Sequence, residues 1–207
     1  NLATVTFPSN SVLETIGSSA FFGTAISQCL ISPDINGAVE ISLDTTALPP
    51  LAFYNCNGLK TVSIAAGNQM TSIPLYAFYK ATALTAITVP STVKKIDQYA
   101  FSSCSNLATV AFPSNSVLET IGSYAFQFTP LTAITVPSTV KLIDTNAFFI
   151  SQLATVTFPS NSVLETIGPY AFSSNTALTA ITVPSTVKVI DQYAFNGCSN
   201  LATVTFP

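Results

Sequence analysis

The chain has 207 residues, of which only 7% are charged, with a net charge of −3 and no His, Arg or Trp. That composition offers no basic footprint for nucleic acid or an anionic membrane, and it removes Ser/Cys–His dyads and His metal sites. Hydrophobic residues reach 48%, enough for a packed core rather than disorder, yet no apolar run attains the roughly 18 residues a membrane helix needs.

The chain opens on Leu2-Ala3-Thr4-Val5-Thr6-Phe7-Pro8, and the phrase returns from Leu153 to Pro159 and from Leu201 to Pro207. It also returns at Leu107, with Ala111 in place of the second Thr. Sister phrases run from Leu84 to Pro90, Leu131 to Pro137 and Leu178 to Pro184. Units starting at Leu59, Leu84, Leu107, Leu131, Leu153, Leu178 and Leu201 are separated by 25, 23, 24, 22, 25 and 23 residues. Such a period predicts a solenoid of the leucine-rich-repeat kind, whose coils bury their apolar face only against each other. The expected body is a single solenoid over 1–207. It has about eight coils, a ninth partial strand and an irregular insertion at about 22–37. It is expected to belong to a longer array.

Each unit predicts the same elements in order. Alternation in Ala-Thr-Val-Thr-Phe predicts a strand with Val110 and Phe112 turned inward and Thr109 and Ala111 outward. Pro113 ends that strand, having no N–H to donate. A shorter extended piece follows, such as Leu118 to Ile121. The Tyr-Ala-Phe segment is too short for an α-helix and predicts a 3₁₀ or single helical turn. The fold class is therefore a mainly β solenoid: a right-handed coil with a parallel sheet on one face, short second strands and 3₁₀ or helical turns on the others. Eight Ala-Phe pairs, at Phe21, Phe53, Phe78, Phe101, Phe126, Phe148, Phe172 and Phe195, predict a stacked spine.

Coils of the Leu-Glu-Thr-Ile-Gly type alternate with coils of the Val-Lys-x-Ile-Asp type. Aligned, they give a ladder of alternating sign, Lys94, Glu119, Lys141, Glu165 and Lys188. Exposed pairs of this kind add little stability, and their expected use is to fix register. Asp97, Asp144 and Asp191 recur in every second coil, which fits turn stabilisation better than a single active centre. No Gly-rich phosphate loop is present. No enzyme activity, catalytic residue, metal or cofactor is expected. Cys56, Cys104 and Cys198 share one repeat position, and coils two apart lie about 10 Å apart by strand spacing. That exceeds the roughly 7 Å a disulfide spans, so all three are expected to be unpaired and buried. Cys29 falls in the irregular segment, and a Cys29–Cys56 bridge is the disfavoured alternative.

The run from Leu178 to Phe195, closed by Cys198-Ser199-Asn200-Leu201, resembles the BspA-like leucine-rich repeats. The resemblance covers nearly the whole chain apart from about 22–37. It implies a secreted or surface-anchored protein with a binding or adhesion role toward proteins, matrix or other cells, an extracellular or cell-surface location, and no shared catalytic residues. The outward strand positions then form the candidate binding face: Thr109, Thr135, Thr155, Thr157, Thr182 and Thr203, with Thr4, Thr6, Thr61, Ser63, Thr88 and Thr205 in the same rows. A protein or glycan surface is the expected partner. Two alternatives remain open. One is a structural repeat protein that assembles head-to-tail into a filament, since Asn1–Pro8 and Asn200–Pro207 are identical. The other is ice binding through the Thr rows. The Tyr row before Ala-Phe, Tyr76, Tyr99, Tyr124, Tyr170 and Tyr193, is expected to pack along the coil edge.

Overall fold

The computed structural model describes residues 29–207. Phe21, Thr4, Thr6 and residues 22–28 of the insertion lie outside the described residues. Within them the chain winds through seven coils, one for each Ala-Phe pair from Phe53 to Phe195. The strands in chain order are β1 (Ala38–Ile41), β2 (Thr61–Ile64), β3 (Ser72–Ile73), β4 (Ala86–Thr88), β5 (Lys95–Ile96), β6 (Thr109–Ala111) and β7 (Thr120–Ile121). They continue as β8 (Ala133–Thr135), β9 (Leu142–Ile143), β10 (Thr155–Thr157), β11 (Thr166–Ile167), β12 (Ala180–Thr182), β13 (Val189–Ile190) and β14 (Thr203–Thr205). All pairings are parallel.

Each coil from β2 onward has a long-phrase strand and a short second strand, whereas the coil of β1 and Phe53 has the first strand alone. The second strands make one six-stranded sheet, β3-β5-β7-β9-β11-β13. Ile73, Ile96, Ile121, Ile143, Ile167 and Ile190 partner each other through it in strict register. The first strands instead form four separate two-stranded ribbons: β1-β2, β4-β6, β8-β10 and β12-β14. The inward Ile or Val of β4, β6, β8, β10 and β12 is buried and the flanking Ala or Thr exposed, as a half-buried strand requires.

The third face joins every coil to the next by main-chain bonds. Phe78 N–H donates to the Ala100 carbonyl at 2.7 Å, Phe101 to Ala125 at 2.8 Å, Phe126 to Ala147 at 2.8 Å and Phe148 to Ala171 at 2.8 Å. No helix forms among the described residues; the Tyr-Ala-Phe segment is a run of turns rather than a 3₁₀ helix. The cause is the backbone at its two ends. Tyr99 (φ 57°) and Ser103 (φ 61°) flank Phe101 in the left-handed region, and Tyr124 and Phe128 repeat this around Phe126. A left-handed residue stops helical propagation, so alternate N–H groups turn outward to the neighbouring coil.

The core runs along the solenoid axis. Phe53, Phe78, Phe101, Phe126, Phe148 and Phe172 are fully buried. With Phe195 they stack at centroid spacings of 4.9 to 5.5 Å and interplanar angles of at most 17°. At four of the seven spine positions the residue three places after the Phe answers a buried carbonyl of the preceding coil. Cys104 Sγ donates to Phe78 O at 2.9 Å, Ser151 Oγ to Phe126 O at 2.7 Å, Asn175 Nδ2 to Phe148 O at 2.8 Å and Cys198 Sγ to Phe172 O at 3.1 Å. A small donor at that position removes the penalty of an unpaired buried carbonyl.

Cys104 and Cys198 are free and buried, and burial pushes the Cys104 thiol up to about 12. Cys56 departs from the sequence expectation: it is bridged to Cys29 with a Cα–Cα distance of 4.8 Å. Coil spacing does not limit this pair, because Cys29 belongs to no regular coil. The irregular segment lies against Cys56, held by Ile31 N–H donating to the Ala52 carbonyl at 3.1 Å. A turn then delivers it into β1, where Asp34 Oδ1 accepts from the N–H groups of Asn36 and Ala38 at 2.8 Å each. Those backbone bonds, led by that from Ala38, hold the Asp34 carboxyl below its ordinary value.

Candidate binding face

The breaks in the first-strand face follow coil length. Ile121 lies eight residues after Pro113, whereas Ile143 lies six after Pro137. Coils of the Phe-Pro type, those beginning at Leu107 and Leu153, thus carry two extra residues between their strands, as does the coil beginning at Leu59. Every break follows a long coil: β2 to β4, β6 to β8 and β10 to β12. Every ribbon that lies between repeat phrases joins a short coil to the long coil after it.

Main-chain bonding records the same alternation. The residue after each short-coil strand is fastened to the next coil: Val89 N–H donates to Ala111 O at 2.9 Å, Val136 to Thr157 O at 3.0 Å and Val183 to Thr205 O at 2.9 Å. The equivalent N–H groups of Phe112 and Phe158 have no backbone partner among the described residues. Val89, Val136 and Val183 are completely buried, whereas Phe112 and Phe158 are only half-buried. Phe112 and Phe158 still pack against the core from there, so Phe112 takes its expected inward place only in part, beside the buried Val110. The extra residues are tied down elsewhere. Thr139 Oγ1 donates to Leu118 O at 2.7 Å and Thr186 Oγ1 to Leu164 O at 2.7 Å, so short-coil hydroxyls answer long-coil carbonyls.

A groove opens at each break. The largest, about 570 Å³, lies between β6 and β8 and includes Phe112, Ala133 and Thr135 in its walls. The second, about 540 Å³, lies between β2 and β4. The third, about 420 Å³, lies between β10 and β12 and includes Phe158 and Thr182. Pro113 belongs to both the first and second grooves, and Thr157 to both the first and third. Neighbouring grooves thus share a wall residue, and the three follow one another along the solenoid as a segmented trough. No charged residue lines any of them.

The candidate face residues fall into this pattern. Thr109, Thr135, Thr155, Thr157, Thr182 and Thr203 are all exposed. Across the ribbons Thr109 pairs with Ala86, Thr155 with Ala133 and Thr203 with Ala180, while Thr157 pairs with Thr135 and Thr205 with Thr182. One row thus alternates Thr with Ala, the other is nearly all Thr, and the sheet beneath both is cut at every second junction. The single uninterrupted face expected of the first strands is a series of ribbons.

The charged ladder sits on another part of the coil. Glu119 N–H donates to Lys94 O, Lys141 N–H to Glu119 O, Glu165 N–H to Lys141 O and Lys188 N–H to Glu165 O, so the five residues are joined in series. Each Glu pairs forward: Lys141 Nζ lies 2.9 Å from Glu119 and Lys188 Nζ 3.1 Å from Glu165. The hydrogen bond from Lys141 holds the Glu119 carboxyl below its ordinary value. Lys95 rather than Lys94 pairs with Asp97, at 2.6 Å. The alternation of Asp and Gly after the second strand has a steric cause that sequence reasoning missed. A Cβ on Gly122 would lie 2.7 Å from Ile96 O, and one on Gly168 would lie 3.0 Å from the Asp144 carbonyl carbon.

The Tyr row forms two stacks. Tyr76–Tyr99 and Tyr99–Tyr124 have centroids 4.8 and 4.6 Å apart, and Tyr170–Tyr193 5.0 Å, with Asn146 standing between the stacks. Burial raises the Tyr76 and Tyr99 hydroxyls above their ordinary value. No group of acidic, Cys or His side chains able to hold a metal ion occurs among the described residues, nor does any helix long and apolar enough to cross a membrane.

The BspA type leucine-rich repeat region matches residues 1–42, 37–153 and 119–207, in six copies. The chain belongs to that family. In fold it is similar to a leucine-rich repeat protein from Bacteroides ovatus, at 28% identity and a TM-score of 0.73, over 82% of this chain and 45% of that one. The leucine-rich repeat protein of T. pallidum aligns with 25% identity and a TM-score of 0.59, over 86% and 72%. One from Eubacterium ventriosum has 22% identity and a TM-score of 0.54, over 83% and 49%. The chain thus spans less than half the length of the Bacteroides ovatus protein. No curated protein matches the sequence.

Proposed function

We propose that this BspA-type repeat chain is a non-catalytic binding scaffold, secreted or displayed at a cell surface, that engages a protein or glycan surface through its first-strand face. The observation that carries this reading is the contrast between faces. The first-strand face combines exposed Thr rows, free main-chain donors and an uncharged trough, whereas the second-strand face spends its main-chain bonds on itself. A face with unspent hydrogen-bonding capacity and partly exposed apolar walls is the one suited to recognition. The sheet breaks also interrupt the regular Thr lattice that ice binding would need.

The test is retention on a panel of immobilised matrix proteins, cell-surface extracts and glycans, with the Thr135→Lys/Thr157→Lys double variant as control. Both side chains are exposed, so the variant should keep its melting temperature and lose its ligand. Retention unchanged by the double variant would place recognition elsewhere. Concentration-dependent end-to-end oligomers in sedimentation, without ligand retention, would favour head-to-tail assembly into a filament.

A further inference from the structure

The trough repeats with the two-coil unit. Every long coil inside it from Leu107 onward supplies the same pair of features at the groove: a half-buried Phe ring and a main-chain N–H with no backbone partner. These are Phe112 in the first groove and Phe158 in the third. Short coils supply the opposite wall from Ala133, Thr135, Ala180 and Thr182. The repeat distance is two strand spacings, about 10 Å.

A ligand for such a trough must meet three conditions. It must be uncharged, because no charged side chain lines any of the three grooves and burying an unpaired charge there is costly. It must present apolar patches and hydrogen-bonding groups in alternation, to use both the Phe ring and the Thr hydroxyls with the free N–H. It must also run along the solenoid axis, across the strands, and repeat at the two-coil distance. An extended polypeptide meets these conditions poorly. Lying across the strands, it cannot form a ladder with their edges, and in-line pairing within a gap needs a full extra strand width. An extended, β-1,4-linked neutral polysaccharide meets all three. Its sugar rings carry C–H faces and equatorial hydroxyls, and alternate rings are turned over, so that its repeat is a disaccharide of comparable length to two coils.

We propose that the trough is a binding site for an uncharged, extended β-1,4-linked polysaccharide, with one disaccharide seated per two-coil unit and a ring stacked at Phe112 and at Phe158. This rests on the reading of the first-strand face as the binding face and names its ligand class.

Titration of the whole chain with β-1,4-linked glucose and N-acetylglucosamine oligosaccharides of two, four and six sugars tests the proposal. Affinity should rise stepwise with each added disaccharide. Phe158→Ala should weaken the six-sugar ligand about tenfold, the scale of one lost ring contact. Thr135→Lys, at an exposed position, should weaken it comparably with no change in melting temperature, and it keeps the test valid should Phe158→Ala fold poorly. Absence of binding by every oligosaccharide, or binding indifferent to Thr135→Lys, overturns the proposal. Retention of a polypeptide that is lost on Thr135→Lys, with no oligosaccharide bound, overturns the glycan assignment and leaves the binding face standing. Retention of neither overturns both.

Discussion

On the second-strand face, Ile73 to Ile190 follow one another through an unbroken six-stranded sheet. On the first-strand face of the same coils, the sheet is cut after β2, β6 and β10. The sequence repeat is equally regular on both. What differs is where the length variation falls: the two extra residues of each long coil lie between Pro and the second strand. They shift the end of the first strand, while the second strand returns to register. A solenoid can thus keep a continuous spine and two continuous ladders while freeing main-chain groups on one face. That is a way for a nearly uncharged, Thr-rich chain to make a recognition surface without charged side chains.

Changes on the continuous side should cost most. Phe126→Ala removes a fully buried ring from the middle of the stack, and should destabilise the chain by about 3–5 kcal/mol in denaturant unfolding. Because coils hold only their neighbours, the loss should split the unfolding into two transitions. Replacing Cys56 by Ser releases the irregular segment, at a cost of about 2–4 kcal/mol. Proteolysis confined to residues N-terminal to Cys56 would locate the effect. Gly122→Ala forces a methyl group against the Ile96 carbonyl and should cost about 1–3 kcal/mol. A neutral result would mean that the Asp/Gly alternation is not steric.

The smallest effect belongs to the charged ladder. The folded-state pKa of Glu119 is lowered, mainly by the Lys141 hydrogen bond. Its stabilisation is therefore present above the unfolded-state pKa and lost as pH falls through the folded value. Glu119→Gln should lower stability slightly near neutrality and converge with the parent chain at low pH, flattening the acid side of the stability–pH curve. Screening at such an exposed site keeps the change small.

The strand positions, the Phe spine and the family were legible because each is a spacing or a repeated residue type. Alternation placed Val110 and, less completely, Phe112 inward, and the Ala-Phe pairs placed the rings. The breaks were also written in the sequence, as steps of 25, 24 and 25 against 23, 22 and 23. Reading them required knowing that the extra residues fall between the strands and are held by Thr139 and Thr186. The Cys29–Cys56 bridge was not legible, because coil spacing says nothing about a residue outside the coils. The left-handed turns are not legible, because nothing in Tyr-Ala-Phe signals such backbone, which Tyr and Ser ordinarily avoid.

Amide hydrogen exchange tests the central claim most directly, by comparing one residue position across coils. The Val89, Val136 and Val183 amides donate to the next coil, whereas those of Phe112 and Phe158 have no backbone partner. The Phe amides should exchange about a hundredfold faster than the Val amides under native conditions. Equal protection at all five positions would mean that the first-strand sheet is continuous, and would contradict the account.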